Sequence, residues 1–179
     1  MSNSVVITSA VRTAVGSLGK SLKNVSGDSL GSSVITESIN KSQIKNDEID
    51  EVIMGQVLTG GAGQNPARQA AMKSGVPKEK PAYIVNQVCG SGLRSVASGF
   101  QSIKAGDSKI VIAGGQESMS LAPHAIHLRE GKKLGNTEMT DTMIKDGLWD
   151  AFHGYHMGVT AENVATKFQV TREDQDKFA

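Results

Sequence analysis

The stretch from Ala82 to Ala113 constrains the fold more than any other part of this chain. A run of β-formers, Ala82–Val88, ends abruptly at Cys89-Gly-Ser-Gly92. Leu93, Val96, Ala97, Phe100 and Ile103 then recur at helical spacing, Gly106 stops the helix, and Lys109–Ala113 is apolar again. Strand, helix and strand in that order form a βαβ unit, whose two strands must lie parallel. The rest of the first 115 residues alternates in the same way. Val5–Ala10 reads as a strand, and a helix follows from Asp28 as N-cap, with Leu30, Val34, Ile35 and Ile39 on its inner side. Glu51–Val57 reads as another strand. Gly60-Gly-Ala-Gly63 turns the chain, and Asn65-Pro66 opens a helix that Gly75 and Pro77 close. The fold class is therefore α/β, a layered protein with a largely parallel sheet.

Beyond Gly114-Gly115 the pattern loosens. From about Met119 to Tyr155 the chain carries charge, glycine and scattered methionine with little periodicity, as an inserted functional or assembly loop does. Thr171-Arg-Glu-Asp174 resembles a capping box, so a helix is expected to start there. It would have only two turns before Ala179, too few to stand without tertiary packing, and the expectation is a chain cut partway through a longer protein.

Bulk properties remove several classes of function. With 179 residues, 38% of them hydrophobic, the chain can bury one core or one domain and part of a second. A formal net charge of +1 gives no basis for binding nucleic acid or an anionic membrane, and no apolar run approaches a membrane span. Met1-Ser-Asn-Ser4 leads straight into Val5 with no charged leader or cleavage site. A single cysteine excludes an internal disulfide framework, which makes a reducing cytoplasm the expected compartment.

Cys89 is that single cysteine. A lone cysteine is most often a small buried hydrophobe, but its place at a strand-to-helix bend favours a nucleophile. A helix start offers N–H groups and the positive end of the macrodipole, both of which favour a thiolate. Gly90 and Gly92 are expected to accommodate a strained bend and leave room for a substrate carbonyl, with backbone N–H groups as oxyanion donors. The natural partner of such a sulfur is a thioester.

Other constellations are weaker. Gly90-Ser-Gly92 lacks the third glycine of a dinucleotide fingerprint, and Gly60–Gly63 lacks the Gly-Lys-Ser/Thr ending of a P-loop. His124/His127 and His153/His156 have a spacing that could ligate metal on a helix, without a second cysteine or an ordered carboxylate pattern beside them. Arg129, Lys132 and Lys133 form a basic cluster that reads as a solvated loop or as an anion or partner contact.

Taken together, several segments resemble the thiolases, nearest to the bacterial biosynthetic branch. They are Val5–Gly16 with Arg12-Thr-Ala14, Gly55-Gln-Val57, Gly63-Gln-Asn-Pro-Ala-Arg-Gln-Ala-Ala71, Asn86-Gln-Val-Cys-Gly-Ser-Gly-Leu-Arg94, Ala113-Gly-Gly-Gln-Glu-Ser-Met-Ser120, Asp141–Leu148 and Gly154-Tyr-His-Met-Gly158. The resemblance implies a thiolase N-terminal core domain over 1–118, a layered α/β/α half with a mixed, mostly parallel sheet, and the beginning of the loop domain over 119–179, with the C-terminal core domain absent. It implies that Cys89 is the acylated nucleophile and that Leu148, His156 and Met157 lie near the pantetheine and acyl group of CoA. The implied activity is that of an acetyl-CoA C-acetyltransferase. Two acetyl-CoA condense reversibly to acetoacetyl-CoA and CoA through an acyl-Cys89 intermediate, with no metal and no redox cofactor.

The same resemblance implies a cytoplasmic homodimer or homotetramer, with Arg129–Leu134 in the place of a tetramer-assembly loop. A Gly-His-Pro histidine, a water-orienting asparagine and a second, acid/base cysteine belong to the family's other half, so the isolated chain is expected to be inactive. Gln116 departs from the methionine common at its position. The open alternatives are a ketoacyl synthase or hydroxymethylglutaryl-CoA synthase of the same fold, and a non-catalytic assembly or CoA-binding module.

Overall fold

A computed structural model describes residues 4–179. Met1–Asn3, where the leader-free start was read, lie outside the described residues. The chain divides into two compact units, Met1–Pro123 and His124–Ala179, each described here by itself.

Strand β1 (Glu51–Gly55) is the centre of the first unit. All five of its residues are buried, because it has a parallel neighbour on each side and helices over both faces. β2 (Ala82–Val85) pairs with it in the register Val52↔Ala82 to Gly55↔Val85, and β3 (Val111–Gly115) in the register Glu51↔Val111 to Gly55↔Gly115. β2 and β3, the strands of the βαβ unit, are parallel as that pattern requires, and β1 lies between them.

Side chains of β1 alternate between the two faces. Val52 and Met54 join Ile35 and Ile39 of α1 (Gly27–Ser42) and Ala67, Ala70 and Ala71 of α2 (Pro66–Lys73) in the hydrophobic core. Glu51 and Gly55 face α3 (Ser91–Ala105) instead: the Glu51 carboxylate accepts from the Ser102 hydroxyl, and Gly55 lies against the Ser91 backbone. α2 begins as its sequence dictates, with Asn65 Oδ1 accepting from the Arg68 N–H at 3.1 Å and Pro66 in the first turn. α1 starts two residues ahead of expectation. Ser26 is its N-cap, and Asp28 sits in the first turn, ion-paired with Lys73. Burial would raise the Asp28 pKa, but the Lys73 and Ser26 hydrogen bonds outweigh it and hold the carboxyl below its usual range.

Two expectations are corrected. Residues 5–10 form no strand. Val6 and Ile7 are 70% and 79% exposed, and no sheet edge supplies the ladder bonds an extended segment needs. The apolar stripe of α3 does not face the sheet either: Leu93 is 78% exposed, and Val96 and Phe100 are also exposed. The buried positions are Ser91, Ser95 and Gly99, so α3 docks through its smallest side chains.

The second unit opens with a short antiparallel pair, β4 (His124–Ala125) and β5 (Thr140–Asp141), followed by a π-helical turn over Met143–Leu148. α4 (Met157–Phe168) and α5 (Arg172–Phe178) complete it. The capping box read at Thr171 is present, with Thr171 Oγ1 accepting from the Asp174 N–H and Asp174 Oδ2 from the Thr171 N–H, both at 3.1 Å. None of these elements contains a buried residue. Among the described residues no helix is long and apolar enough to cross a membrane.

Candidate active site

Two glycine contacts bring the β2–α3 bend onto the carboxyl edge of the sheet, and a third seats the middle of α3 on β3. A Cβ at Gly55 would lie 2.3 Å from the Ser91 carbonyl carbon and 2.5 Å from the Gly92 nitrogen. One at Gly115 would lie 3.3 Å from the Gly92 Cα, and one at Gly99 3.0 Å from Val111 Cγ1. Helix α3 can approach β1 and β3 this closely only because hydrogen atoms occupy those places. Ser95, fully buried, fixes the contact: its hydroxyl lies 2.6 Å from both the Gly92 and Gly114 carbonyl oxygens.

Cys89 projects from the bend and is exposed. It lies immediately ahead of the N-cap, Gly90, rather than inside the first turn, and the first helical bond runs from the Arg94 N–H to the Gly90 carbonyl at 2.9 Å. The strain expected at the glycines falls elsewhere. Gly90 has φ −81°, an ordinary value, whereas Val88 has φ +49°. A β-branched residue in the left-handed region costs of order 1–3 kcal/mol and persists only where its surroundings impose it. Here hydrogen bonds impose it. Asn86 Oδ1 accepts from the Val88 N–H at 3.0 Å, and the Val88 carbonyl accepts from both the Ser91 N–H and the Ser91 hydroxyl. The Ser91 oxygen in turn accepts from the Gln87 N–H at 2.8 Å, and Arg94 Nε donates to Gln87 Oε1 at 2.7 Å.

Beyond β1 and β3 the edge of the sheet continues through polar side chains. Gln116 Nε2 donates to Gln56 Oε1 at 2.9 Å, and Gln56 Nε2 donates to the Leu58 carbonyl at 3.0 Å. Gln116 Oε1 is buried without a partner and sits where a Cβ on Gly31 would be. Glu117 accepts from the Val57 N–H at 2.8 Å and the Leu58 N–H at 3.3 Å. Burial pushes its pKa up, and the N–H groups of Val57, Leu58 and Ser118 only partly offset that.

The other three candidate residues belong to the second unit. Leu148 ends the π-helical turn, and His156 and Met157 adjoin at the start of α4. His156 is the N-cap of that helix: its Nδ1 accepts from the Gly158 N–H at 3.0 Å, which leaves Nε2 to carry the proton of the neutral ring. Trp149 and His156 are bridged in antiparallel fashion, closing a loop in which Asp150 accepts from the His153 and Phe152 N–H groups. Those bonds hold Asp150 below the usual carboxylate range. The two His-x-x-His pairs do not converge. His124 lies 3.8 Å from Asp141, His153 lies 3.3 Å from Asp150 and stacks on Tyr155, and His156 caps its helix.

Sequence reasoning gave no role to Ser91 or Glu117. The signal for Ser91 was its position two residues after the cysteine, where an N-terminal serine of a helix can bond back to the preceding turn. Glu117 offered only a carboxylate between Gln116 and Ser118, inside a segment quoted for the family resemblance.

A parallel sheet with helices on both faces, and an exposed cysteine at the bend between β2 and α3, defines the structural class of the first unit. Within that class the chain belongs to the thiolases: the family model described as thiolase, N-terminal domain, matches residues 5–179. The chain is 60% identical over 180 residues to an acetyl-CoA acetyltransferase of Rhizobium meliloti, with all of this chain and 46% of that protein covered. It is 55% identical over 179 residues to the acetyl-CoA acetyltransferase of Shinella zoogloeoides, again with 100% and 46% covered. It is 53% identical over 178 residues to the cytosolic acetyl-CoA acetyltransferase of Rattus norvegicus, covering 99% of this chain and 45% of the relative. The chain thus spans just under half the length of the curated relatives it matches.

Proposed function

We propose that the full protein containing this chain is an acetyl-CoA acetyltransferase and that Cys89 is its acyl-carrying nucleophile. The observation that supports this most directly is the exposed Cys89 at the β2–α3 bend, in a chain 60% identical to a protein of that name. The Cys89 thiol gives its proton to a base as its sulfur attacks the thioester carbon of acetyl-CoA. The carbon–sulfur bond to CoA breaks, and the CoA thiolate takes that proton and leaves. A second acetyl-CoA then loses a proton from its methyl carbon to a base. The resulting carbanion attacks acetyl-Cys89, forming acetoacetyl-CoA and returning the Cys89 thiolate. The Cys89 amide is the oxyanion donor this chain contributes.

Leu148, His156 and Met157 are proposed to line the pantetheine and acyl site, with the His156 Nε2–H as a donor. The base and the acid/base cysteine are assigned to sequence beyond this chain, so residues 1–179 alone are expected to turn over no acetyl-CoA. This chemistry needs no metal or redox cofactor. A cytoplasmic homodimer or homotetramer is the proposed working form.

The test is direct. The full-length protein is incubated with acetyl-CoA, quenched in acid and mapped by mass spectrometry, and an acetyl group on Cys89 is expected. An acetyl group carried only on another residue, or none at all, refutes the assignment.

A further inference from the structure

We propose that Ser91 is a positioning residue for the Cys89 sulfur. Its hydroxyl holds Val88 in the left-handed conformation that aims Cys89 out of the bend. The inference rests on the acyl-transfer reading for its chemical purpose, and on the following geometry for its substance.

Val88 has φ +49°, yet its side chain is 46% exposed, so burial within this unit is a weak reason for the conformation. Its peptide groups are gripped on both sides. Asn86 Oδ1 takes the N–H at 3.0 Å, and the carbonyl takes the Ser91 hydroxyl at 2.5 Å and the Ser91 N–H at 3.1 Å. The Ser91 hydroxyl gives its single proton to the Val88 carbonyl and receives the Gln87 N–H at 2.8 Å. One side chain therefore joins the Asn86–Gln87 peptide to the Val88–Cys89 peptide, spanning the peptide between them.

The anchor itself has little room to move. Ser91 is only 4% exposed, and its backbone rests on the Gly55 position of β1. β1 fixes the serine, the serine fixes Val88, and Cys89 is the next residue. Without the hydroxyl, Val88 is free to relax to a negative φ, which rotates the following residue away from the helix start. The sulfur then loses its aim out of the bend.

This role makes a prediction that simple packing does not: a glycine at 88 adopts a positive φ without strain, so it removes the need for the clamp. In the full-length protein, Ser91→Ala is expected to slow acetyl transfer from acetyl-CoA to Cys89 by at least about tenfold. It is also expected to slow alkylation of Cys89 by iodoacetamide at a fixed pH. Val88→Gly/Ser91→Ala is expected to restore both, with the rate within about threefold of wild type. The clamp is overturned if Ser91→Ala reacts at the wild-type rate, or if adding Val88→Gly restores nothing. If Ser91→Ala alone does not fold, the paired variant decides: a folded, reactive protein supports the clamp, and an unfolded or unreactive one overturns it. A native protein that takes no acetyl group from acetyl-CoA sinks the acyl-transfer reading instead. In that case loss and rescue in the alkylation series still support the clamp, and their absence overturns it.

Discussion

Replacing Gly55 with alanine is the sharpest test of how the sheet sets the nucleophile. The new Cβ would lie 2.3, 2.5 and 2.6 Å from three backbone atoms of Ser91 and Gly92. Ordinary contact begins at 3.4 Å, so the shortest gap is 1.1 Å too small, and no flexible side chain is present to yield. The strand or the first turn of α3 must move by about that distance. Overpacking of this kind costs about 1–3 kcal/mol. A displacement of about 1 Å in a reacting group can cost about 10²-fold in rate. We therefore expect full-length Gly55→Ala to fold with reduced stability in urea and to acetylate Cys89 about 10²-fold more slowly than wild type. Gly114→Ala is the matched control. It lies one residue from Gly115, and its Cβ would meet nothing within 4 Å, so its stability should stay within about 0.5 kcal/mol of wild type. Equal urea midpoints and equal acetylation rates for Gly55→Ala and wild type would show that the helix is not seated on Gly55 as described.

Glu117 should make stability depend on pH in an unusual direction. Burial raises its pKa above the usual 4.5, so the folded protein holds this proton more readily than the unfolded chain does. Its contribution is full below the unfolded pKa and is lost as pH rises through the folded value. Glu117→Gln cannot ionise and should gain on wild type as pH climbs from about 4 to about 7. Urea midpoints of both proteins across that range measure the difference, and a flat difference refutes the assignment. Asn65→Ala should cost about 1–2 kcal/mol, because it removes the α2 cap and the 2.9 Å bond from Asn65 Nδ2 to the Ala82 carbonyl. Asn65→Gly, which suits the φ of +42° at that position, should lose less. If alanine and glycine give the same urea midpoint, backbone conformation plays no part there.

The sequence made the core of the first unit readable where period and punctuation agreed. Glu51–Gly55, the Asn65-Pro66 helix start and the βαβ unit around Cys89 all follow from local pattern, and the parallel order follows from connection length. Reading failed where tertiary context decides. Val5–Ala10 has strand composition, but pairing requires a neighbour that composition cannot provide. The apolar stripe of α3 was obvious as a pattern, yet the helix buries Ser91, Ser95 and Gly99. α4 was missed because its cap is a histidine and its first turn carries glycine, valine and threonine, none of them strong helix signals. At the bend, Cys89 was legible from its setting. The conformation of Val88 was not, because valine is among the residues least suited to it.

The glycine seats beneath α3 also limit how this protein can vary. Nothing is smaller than the hydrogen at Gly55, Gly99 or Gly115, so every substitution there can lift the helix but none can lower it. Mutational drift at these three places runs in one direction, away from the strands, and the sulfur is carried along with the rising end. At Gly99 a repair can come from the opposite wall, by trimming Val111 or Ala113, whereas Gly55 and Gly115 face backbone atoms that no substitution can trim.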